Sequence, residues 1–484
     1  MGYSVEGRAA SDSAAVRSII AGIMLAMFLS ALEQTIVAPA LPTIGARLGD
    51  IDELSWVAGA YLLGATAATP LFGKLSDIYG RRTILLTGVS IFMAGSVACA
   101  LAPPMWALIA ARALQGIGGG SILPISQAIV ADLVSPRERA RYQSQAAVIF
   151  MGASVAGPLV GGVLTDHLHW SLIFWINLPM GALALVMSYR ALARLPRNER
   201  PHQLDWLGAG LMVTAALALM LAMTWGGLRY PWTSWPIAAL IGGSTLLWFL
   251  FAWRIVTAGE PFVPLTVLSD RTVTGAVIAA FFSIGTITGL SFFMPLYLEL
   301  SLRTTALLSG LALIAFMGGI TLGALAAGTA LARYRHYKRI PVIGLLVAIA
   351  ALAALAANLH PSLAAVAFLL ILAGGGIGPM YPVTTVLIQN AVSRHQIGVA
   401  TGTLNFFRLL GGTIVVAGFG AIVLGGDAAG LPPGQLSHGP VSPGDFAWVF
   451  MAAGGCLMAA LVALLLMVKE HPLRGPDPAA PKGA

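Results

Sequence analysis

Charge is what this 484-residue chain has least of. Only 10% of its residues are Asp, Glu, Lys or Arg, against about 25% in a typical soluble domain. A globule in water needs polar residues over its surface, so this scarcity excludes an ordinary soluble fold. Cysteine is almost absent as well. Cys99 and Cys456 each lie inside an apolar run, which leaves neither a disulfide framework nor a cysteine metal site. The 8 histidines are scattered, and no Asp-x-x-Asp or His-x-x-x-Asp pair stands at the end of an apolar run, where a metal-dependent enzyme acting on lipids would need it. No Gly-x-x-x-x-Gly-Lys-Ser/Thr phosphate loop occurs, and no stretch is polar enough to fold as a nucleotide-binding domain. ATP is thereby excluded as a direct energy source, and no cofactor is expected.

Apolar sequence is present in excess: 58% of residues are hydrophobic and the mean hydropathy is +0.85. A helix that crosses a bilayer needs about 20 such residues. Fourteen runs qualify, near 17–39, 55–75, 82–101, 105–131, 141–163, 170–190, 206–225, 235–255, 272–299, 306–331, 340–358, 362–389, 397–424 and 446–468. The first is too long for the core of a signal peptide and reads as an uncleaved first helix. The net charge of +8 would suggest nucleic acid in a soluble protein, but in a membrane protein basic residues gather in cytoplasmic loops. Lys74, Arg81 and Arg82, then Arg137, Arg139 and Arg141, then Arg190, Arg194, Arg197 and Arg200, then Arg333, Arg335, Lys338 and Arg339 all fall on one side, leaving Arg47, Arg229 and Arg303 on the other. Both termini are therefore expected in the cytoplasm, the expected partners are protons, lipid and a small molecule, and no nucleic acid is expected.

The sequence also repeats itself at an offset of 258 residues. Gly116, Gly118, Gly120 and Pro124 fall on Gly374, Gly376, Gly378 and Pro382, Asp132 on Asn390, and Ser135 on Ser393. Spans 1–6 match spans 9–14, so the expected fold is all-α: a polytopic membrane protein of 14 transmembrane helices, two six-helix bundles in parallel repeat plus an inserted pair. The expected boundaries are 1–195, 196–265 for the inserted pair, 266–470, and a disordered tail at 471–484. Parallel repeats of this kind suit a transporter whose site lies at the midplane and opens alternately to each side.

Gly73-Lys74-Leu75-Ser76-Asp77-Ile78-Tyr79-Gly80-Arg81-Arg82 resembles the signature loop between helices 2 and 3 of the major facilitator superfamily. Arg112 through Gly118 resembles that family's helix-4 motif, and Gly152 through Gly162 its helix-5 antiporter motif. Leu32-Glu33-Gln34-Thr35-Ile36-Val37, Phe174 through Pro179, and Asn405 through Gly412 are similar to the fourteen-helix drug:proton antiporter branch, which usually carries aspartate in place of Glu33. The resemblance implies a bacterial inner-membrane multidrug exporter driven by protons, monomeric, with a periplasmic adaptor as a further partner. It also implies that Arg112 supports proton transfer and that Gly157, Pro158, Gly161 and Gly162 form a tight interface that prevents leak. A transporter of a dedicated metabolite, such as a siderophore, sugar or lipid precursor, is the alternative, and a membrane-embedded lipid-modifying enzyme a remote one.

The residues themselves point the same way. Ionisable side chains inside a span are costly and mark function. Glu33 sits mid-span among Leu29, Leu32, Ile36 and Val37, where a carboxyl can bind and release a proton in each cycle. Arg112 and Gln115 share one face of span 4, and Asn405 and Arg408 one face of span 13. Gln34, Gln115, Asn405, Arg408 and Phe292 are the cavity candidates, with Trp225, Phe281, Phe282 and Phe293 as further aromatics that a lipophilic cation could stack on. Gly73, Asp77, Gly80, Arg81, Arg82 and Asp132 are expected to form a cytoplasmic gate, Asp77 meeting a basic group or a helix N-terminus and Asp132 meeting Arg81 or Arg82. Glu299 and Arg303, four residues apart, read as a helix-surface ion pair.

Overall fold

A bilayer interior offers no water to unpaired backbone groups, so long apolar runs resolve into helices that satisfy their own N–H and C=O groups. The structure, a computed structural model, describes residues 3–49, 53–191, 204–227, 229–333, 338–358, 361–424 and 443–469. Arg194, Arg197, Arg200, Arg335 and the expected tail at 471–484 lie outside these.

The helices are, in order, α1 (Tyr3–Ile36), α2 (Leu41–Leu48), α3 (Leu54–Tyr79), α4 (Arg81–Leu101), α5 (Met105–Leu133), α6 (Pro136–His167), α7 (Leu172–Trp175), α8 (Asn177–Ala191), α9 (Trp206–Trp225), α10 (Trp235–Thr257), α11 (Leu265–Leu268), α12 (Arg271–Ser301), α13 (Ala306–Arg333), α14 (Arg339–Ala357), α15 (Leu363–Ile377), α16 (Met380–Ala391), α17 (Ile397–Leu424) and α18 (Pro443–Met467). Local chemistry fixes several starts. Asp205 accepts from the Gly208 N–H at 3.1 Å to cap α9, and Asp270 accepts from the N–H groups of Thr272 and Val273 at 2.7 and 3.1 Å to cap α12. These bonds satisfy donors that a helix start leaves orphaned.

Among the described residues, 13 helical segments are long and apolar enough to cross a membrane. The chain is an integral membrane protein. The expected span absent from that set is 55–75, which lies in α3. At 26 residues, and a rise of 1.5 Å per residue, α3 is about 39 Å long, but Gly, Thr, Lys74 and Asp77 dilute its apolar character. The long runs 105–131 and 272–299 are single helices, α5 and α12. The run 362–389 is instead divided into α15 and α16 around Gly378 and Pro379, because proline has no N–H to donate and its ring crowds the preceding turn.

The chain folds as two compact units. The first comprises Met1–Val134, Val148–His202 and Ser393–Thr403, and the second Ser135–Ala147, Gln203–Val392 and Leu404–Ala484. Each unit thus takes in one short segment from the other half of the sequence, at the start of α6 or of α17.

In the first unit α5 packs along α3 and α4, α1 along α8, and α4 along α8. In the second the same pairs recur one repeat later: α15 along α13 and α14, α12 along α18, and α14 along α18. The repeated glycines are the contact points. A Cβ on Gly116 or Gly120 would strike the backbone of Tyr61 or Ala65 on α3, and one on Gly374 or Gly378 the backbone of Phe316 or Ile320 on α13. Gly118 faces Gly88 and Phe92 on α4, as Gly376 faces Gly344 and Ala348 on α14. Small residues here let helix backbones meet, which is how helices associate in lipid. The inserted helices α9 and α10 pack mainly on each other.

Candidate functional site

Glu33 and Arg112 are brought together in the first unit. Glu33 is fully buried and Arg112 is 2% exposed. Leu32 just before Glu33 and Ile36 three residues after it join a core with Val57, Leu108 and Phe174, so water is excluded around the pair. The Arg112 guanidinium forms an ion pair with Glu33 Oε1. Its Nε donates to the Val57 carbonyl at 2.8 Å and its Nη1 to Gln115 Oε1 at 2.5 Å. Tyr61 presents its ring face to the guanidinium at 4.6 Å, and Phe174 lies at 5.7 Å, an arrangement worth more when desolvated.

The second carboxylate oxygen accepts from Asn177 Nδ2 at 2.5 Å. Gln115 donates onward to Ser96 Oγ at 2.8 Å. A buried ion pair tolerates loss of one partner poorly, at a cost of about 3–5 kcal/mol. Here protonation of Glu33 turns an ion pair into a charge-to-neutral contact. Gln115, the Val57 carbonyl and two aromatic rings remain to hold the guanidinium.

Asn177, Ser96 and Tyr61 were absent from the sequence expectation. Asn177 alone carried a signal, since it lies in the Phe174–Pro179 stretch and opens α8. Gln34, one residue on from Glu33, is exposed and donates to the Ser30 carbonyl at 3.2 Å. Adjacent helical residues point about 100° apart, as 3.6 residues per turn requires.

A second cluster closes the end of α3. Asp77 pairs with Arg81 at 2.5 Å. Its two oxygens also accept from the backbone N–H groups of Gly398 and Val399, at 3.0 and 2.7 Å, at the start of α17. These are donors that a helix N-terminus leaves free and that favour an anion. Arg81 donates to Asp132 Oδ2 at 3.0 Å and to Ser76 Oγ at 2.7 Å. Gly73 is required by proximity, because a Cβ there would strike the Gly398 carbonyl. Gly80 is required by its φ of +87°, a conformation only glycine adopts without strain. Arg82 turns elsewhere and stacks on Tyr189 at 4.4 Å.

Gly157 and Gly161 face α1, where added Cβ atoms would strike Thr35 and Ile36. Thr35 Oγ1 donates to the Ala153 carbonyl at 3.0 Å across the same contact. Pro158 is exposed and a Cβ on Gly162 would meet nothing within 4 Å, so one face of the motif packs and the other does not.

In the second unit Arg408 is 4% exposed. It donates to the Tyr381 carbonyl at 2.9 Å, Thr384 Oγ1 at 2.8 Å, Thr385 Oγ1 at 2.9 Å and Asn405 Oδ1 at 3.1 Å, and stacks on the Tyr381 ring at 4.3 Å. Phe292 is 67% exposed. Phe281 and Phe282 stack on each other, Phe293 on Phe419, and Trp225 on Tyr230. Among the described residues no three His, Cys, Asp or Glu side chains are placed to hold a metal ion.

Known proteins share this architecture. Residues 23–416 match the profile of the Major Facilitator Superfamily. Rv1877 of Mycobacterium tuberculosis (strain ATCC 25618 / H37Rv), named an uncharacterized MFS-type transporter, is 35% identical over 408 residues, which are 84% of this chain and 59% of that protein. The matched region thus spans less than two thirds of that relative. The multidrug transporter protein MdtP of Bacillus subtilis (strain 168) is 34% identical over 408 residues, 84% of this chain and 75% of MdtP. The solved structure of the proton:xylose symporter XylE superposes with a TM-score of 0.66 at 15% identity, covering 96% of this chain and 98% of XylE. With the matched region reaching from mid-α1 to α17 and the repeated helix pairs of both units, the chain belongs to the Major Facilitator Superfamily.

Proposed function

We propose that the chain is a proton-driven exporter of amphipathic small molecules in a bacterial inner membrane, with both termini cytoplasmic. The Glu33–Arg112 pair carries this reading, as an acid and a base fully enclosed in a membrane helix bundle, in a chain whose relatives include proteins named multidrug transporters. Glu33 takes up a proton from the outer side. Arg112 then rests on Gln115, Val57 and the Tyr61 ring, and α1 is freed to shift against α5. Release of the proton inward restores the pair. At the end of α3, the Asp77–α17 contact holds the cytoplasmic side shut in one half of the cycle and separates in the other, while the two bundles alternate access to the midplane.

The energetics suffice. A proton crossing 100 mV releases about 2.3 kcal/mol, and one pH unit adds about 1.4 kcal/mol. At about 1.4 kcal/mol per decade, one proton sustains a substrate gradient of roughly several hundredfold.

The test is reconstitution with a pH-sensitive dye inside liposomes, an imposed pH gradient and a panel of amphipathic compounds. Substrate-dependent proton movement in wild type, lost in Glu33→Gln, is the expected result. Movement that persists in Glu33→Gln would remove Glu33 from the coupling step.

A further inference from the structure

Among the described residues, three arginines inside the helices meet carboxylates. Arg112 meets Glu33. Arg81 meets Asp77 and Asp132. Arg254 meets Asp205. Arg408, at 4% exposure, is nearly as buried as Arg112 at 2%, yet among the described residues no carboxylate pairs with it. Every acceptor it has is neutral, and its Nε–H has no partner at all. A guanidinium cannot be deprotonated in a protein, so it cannot shed its charge, and leaving a buried charge uncompensated is costly. The Tyr381 ring, 4.3 Å from the guanidinium, offsets part of this cost but brings no negative charge of its own. Arg408 lies beside the first turns of α16, the end of a helix that favours an anion over a cation. It is 11 residues into the 28-residue α17, about 17 Å along the axis at 1.5 Å per residue, the depth at which transporters of this kind bind substrate.

We propose that Arg408 is the ionic anchor for substrate, and that the exported molecules are amphipathic anions bearing a carboxylate or an equivalent acidic group. The converse supports the same choice. A lipophilic cation needs an unmatched acid, and the acid that lies mid-span among the described residues, Glu33, is already met by Arg112 and Asn177. Tyr381, Thr384, Thr385 and Asn405 hold the guanidinium by Nη1 and Nη2, leaving Nε–H as the free donor. This inference names the substrate class within the export reading.

The experiment uses the full chain in lipid nanodiscs and three probes of equal length: 11-(dansylamino)undecanoate, its methyl ester and its trimethylammonium analogue. Dansyl fluorescence reports the Kd of each. Hydrogen bonds to a charged group are worth about 1.5–3 kcal/mol, so the carboxylate should bind about 10- to 100-fold more tightly than the ester or the cation. Arg408→Gln should erase that preference. Arg408→Lys, which keeps the charge but not the fork of donors, should retain part of it and covers the case in which Arg408→Gln does not fold. A purely structural Arg408 would change stability without changing the ranking of the three probes. Equal or weaker binding of the carboxylate, no carboxylate binding, or a preference unchanged in both variants overturns the proposal. The same probes in the liposome assay separate the two readings. Proton movement driven by the cation and lost in Glu33→Gln would sink the anion anchor and keep the exporter, whereas Arg408-dependent carboxylate binding without proton movement would do the reverse.

Discussion

Asp77→Asn tests whether the start of α17 is held to α3 by charge. The aspartate supplies two oxygens to two backbone donors, Gly398 N–H at 3.0 Å and Val399 N–H at 2.7 Å, while pairing with Arg81. An asparagine keeps one acceptor and turns an NH2 group toward the other donor, so one charge-assisted bond is lost and the second becomes neutral. Charged hydrogen bonds contribute about 1.5–3 kcal/mol and neutral ones about 1. The net loss is about 2–5 kcal/mol, while Arg81 retains Asp132. That shifts a two-state equilibrium by about 30-fold at the least and several thousandfold at the most. The contact is largely shielded, so salt should change this little.

The assay places a cysteine at Val399, which is 1% exposed, in a background with Cys99 and Cys456 replaced by alanine. The reaction rate of a membrane-impermeant maleimide added on the side where α17 begins then follows the open fraction. Asp77→Asn should raise that rate by about 1.5 decades or more. A rate within twofold of the parent would mean that the carboxylate does not hold α17, and the reasoning from its two backbone bonds would fail.

Two further predictions rest on packing. Gly157→Ala sets a methyl group against Thr35, and overpacking of this kind costs about 1–3 kcal/mol. It should lower the thermal midpoint and slow transport, whereas Gly162→Ala, which meets nothing within 4 Å, should leave both unchanged. Asp205→Ala removes the α9 cap and strands Arg254, which donates to the same carboxylate at 3.1 Å. A lost cap costs about 1 kcal/mol, so limited proteolysis should cut next to α9 sooner while transport persists.

The membrane made much of this architecture legible. A span must be apolar along its whole length, so a deficit of charge can be counted, and a glycine where two helix backbones touch cannot be replaced without displacing one of them. That is why Gly116, Gly118 and Gly120 and their partners 258 residues later stood out in the sequence and proved to be contact points on α3, α4, α13 and α14. Glu33 and Arg112 were legible for the same reason, as charges where charge is expensive. The rest of their network was not. Tyr61, Ser96 and Asn177 are ordinary residues in membrane helices, and only the packing order of α1, α3, α4, α5 and α8 brings them to one point. Gln34 and Arg82 were grouped with their neighbours by sequence proximity, and the helical turn sends each to a different face from the residue before it. The division of the run 362–389 was signalled by Pro379 and Pro382 and outweighed by its high hydropathy.

The two units repeat each other's packing and not each other's chemistry. At the 258-residue offset Arg112 falls on Leu370 and Gln115 on Ala373, so α15 carries no counterpart of the buried base. The acid of α12 is Glu299, at the helix end and not midway. In the other direction, Thr384 and Thr385 fall on Ser126 and Gln127, but α6 has no Arg or Lys beyond Arg141 and therefore no counterpart of Arg408. Glycine contacts are fixed by the need for helices to meet, and they persist in both copies. The polar groups are free of that need and have diverged. One unit holds a matched carboxylate and guanidinium, Glu33 and Arg112. The other holds Arg408, which no carboxylate meets among the described residues and whose printed acceptors are neutral. A carrier that couples two ligands has reason to keep their charges apart, since a carboxylate substrate close to Arg112 would compete with Glu33 for its partner and bind at the expense of the proton cycle.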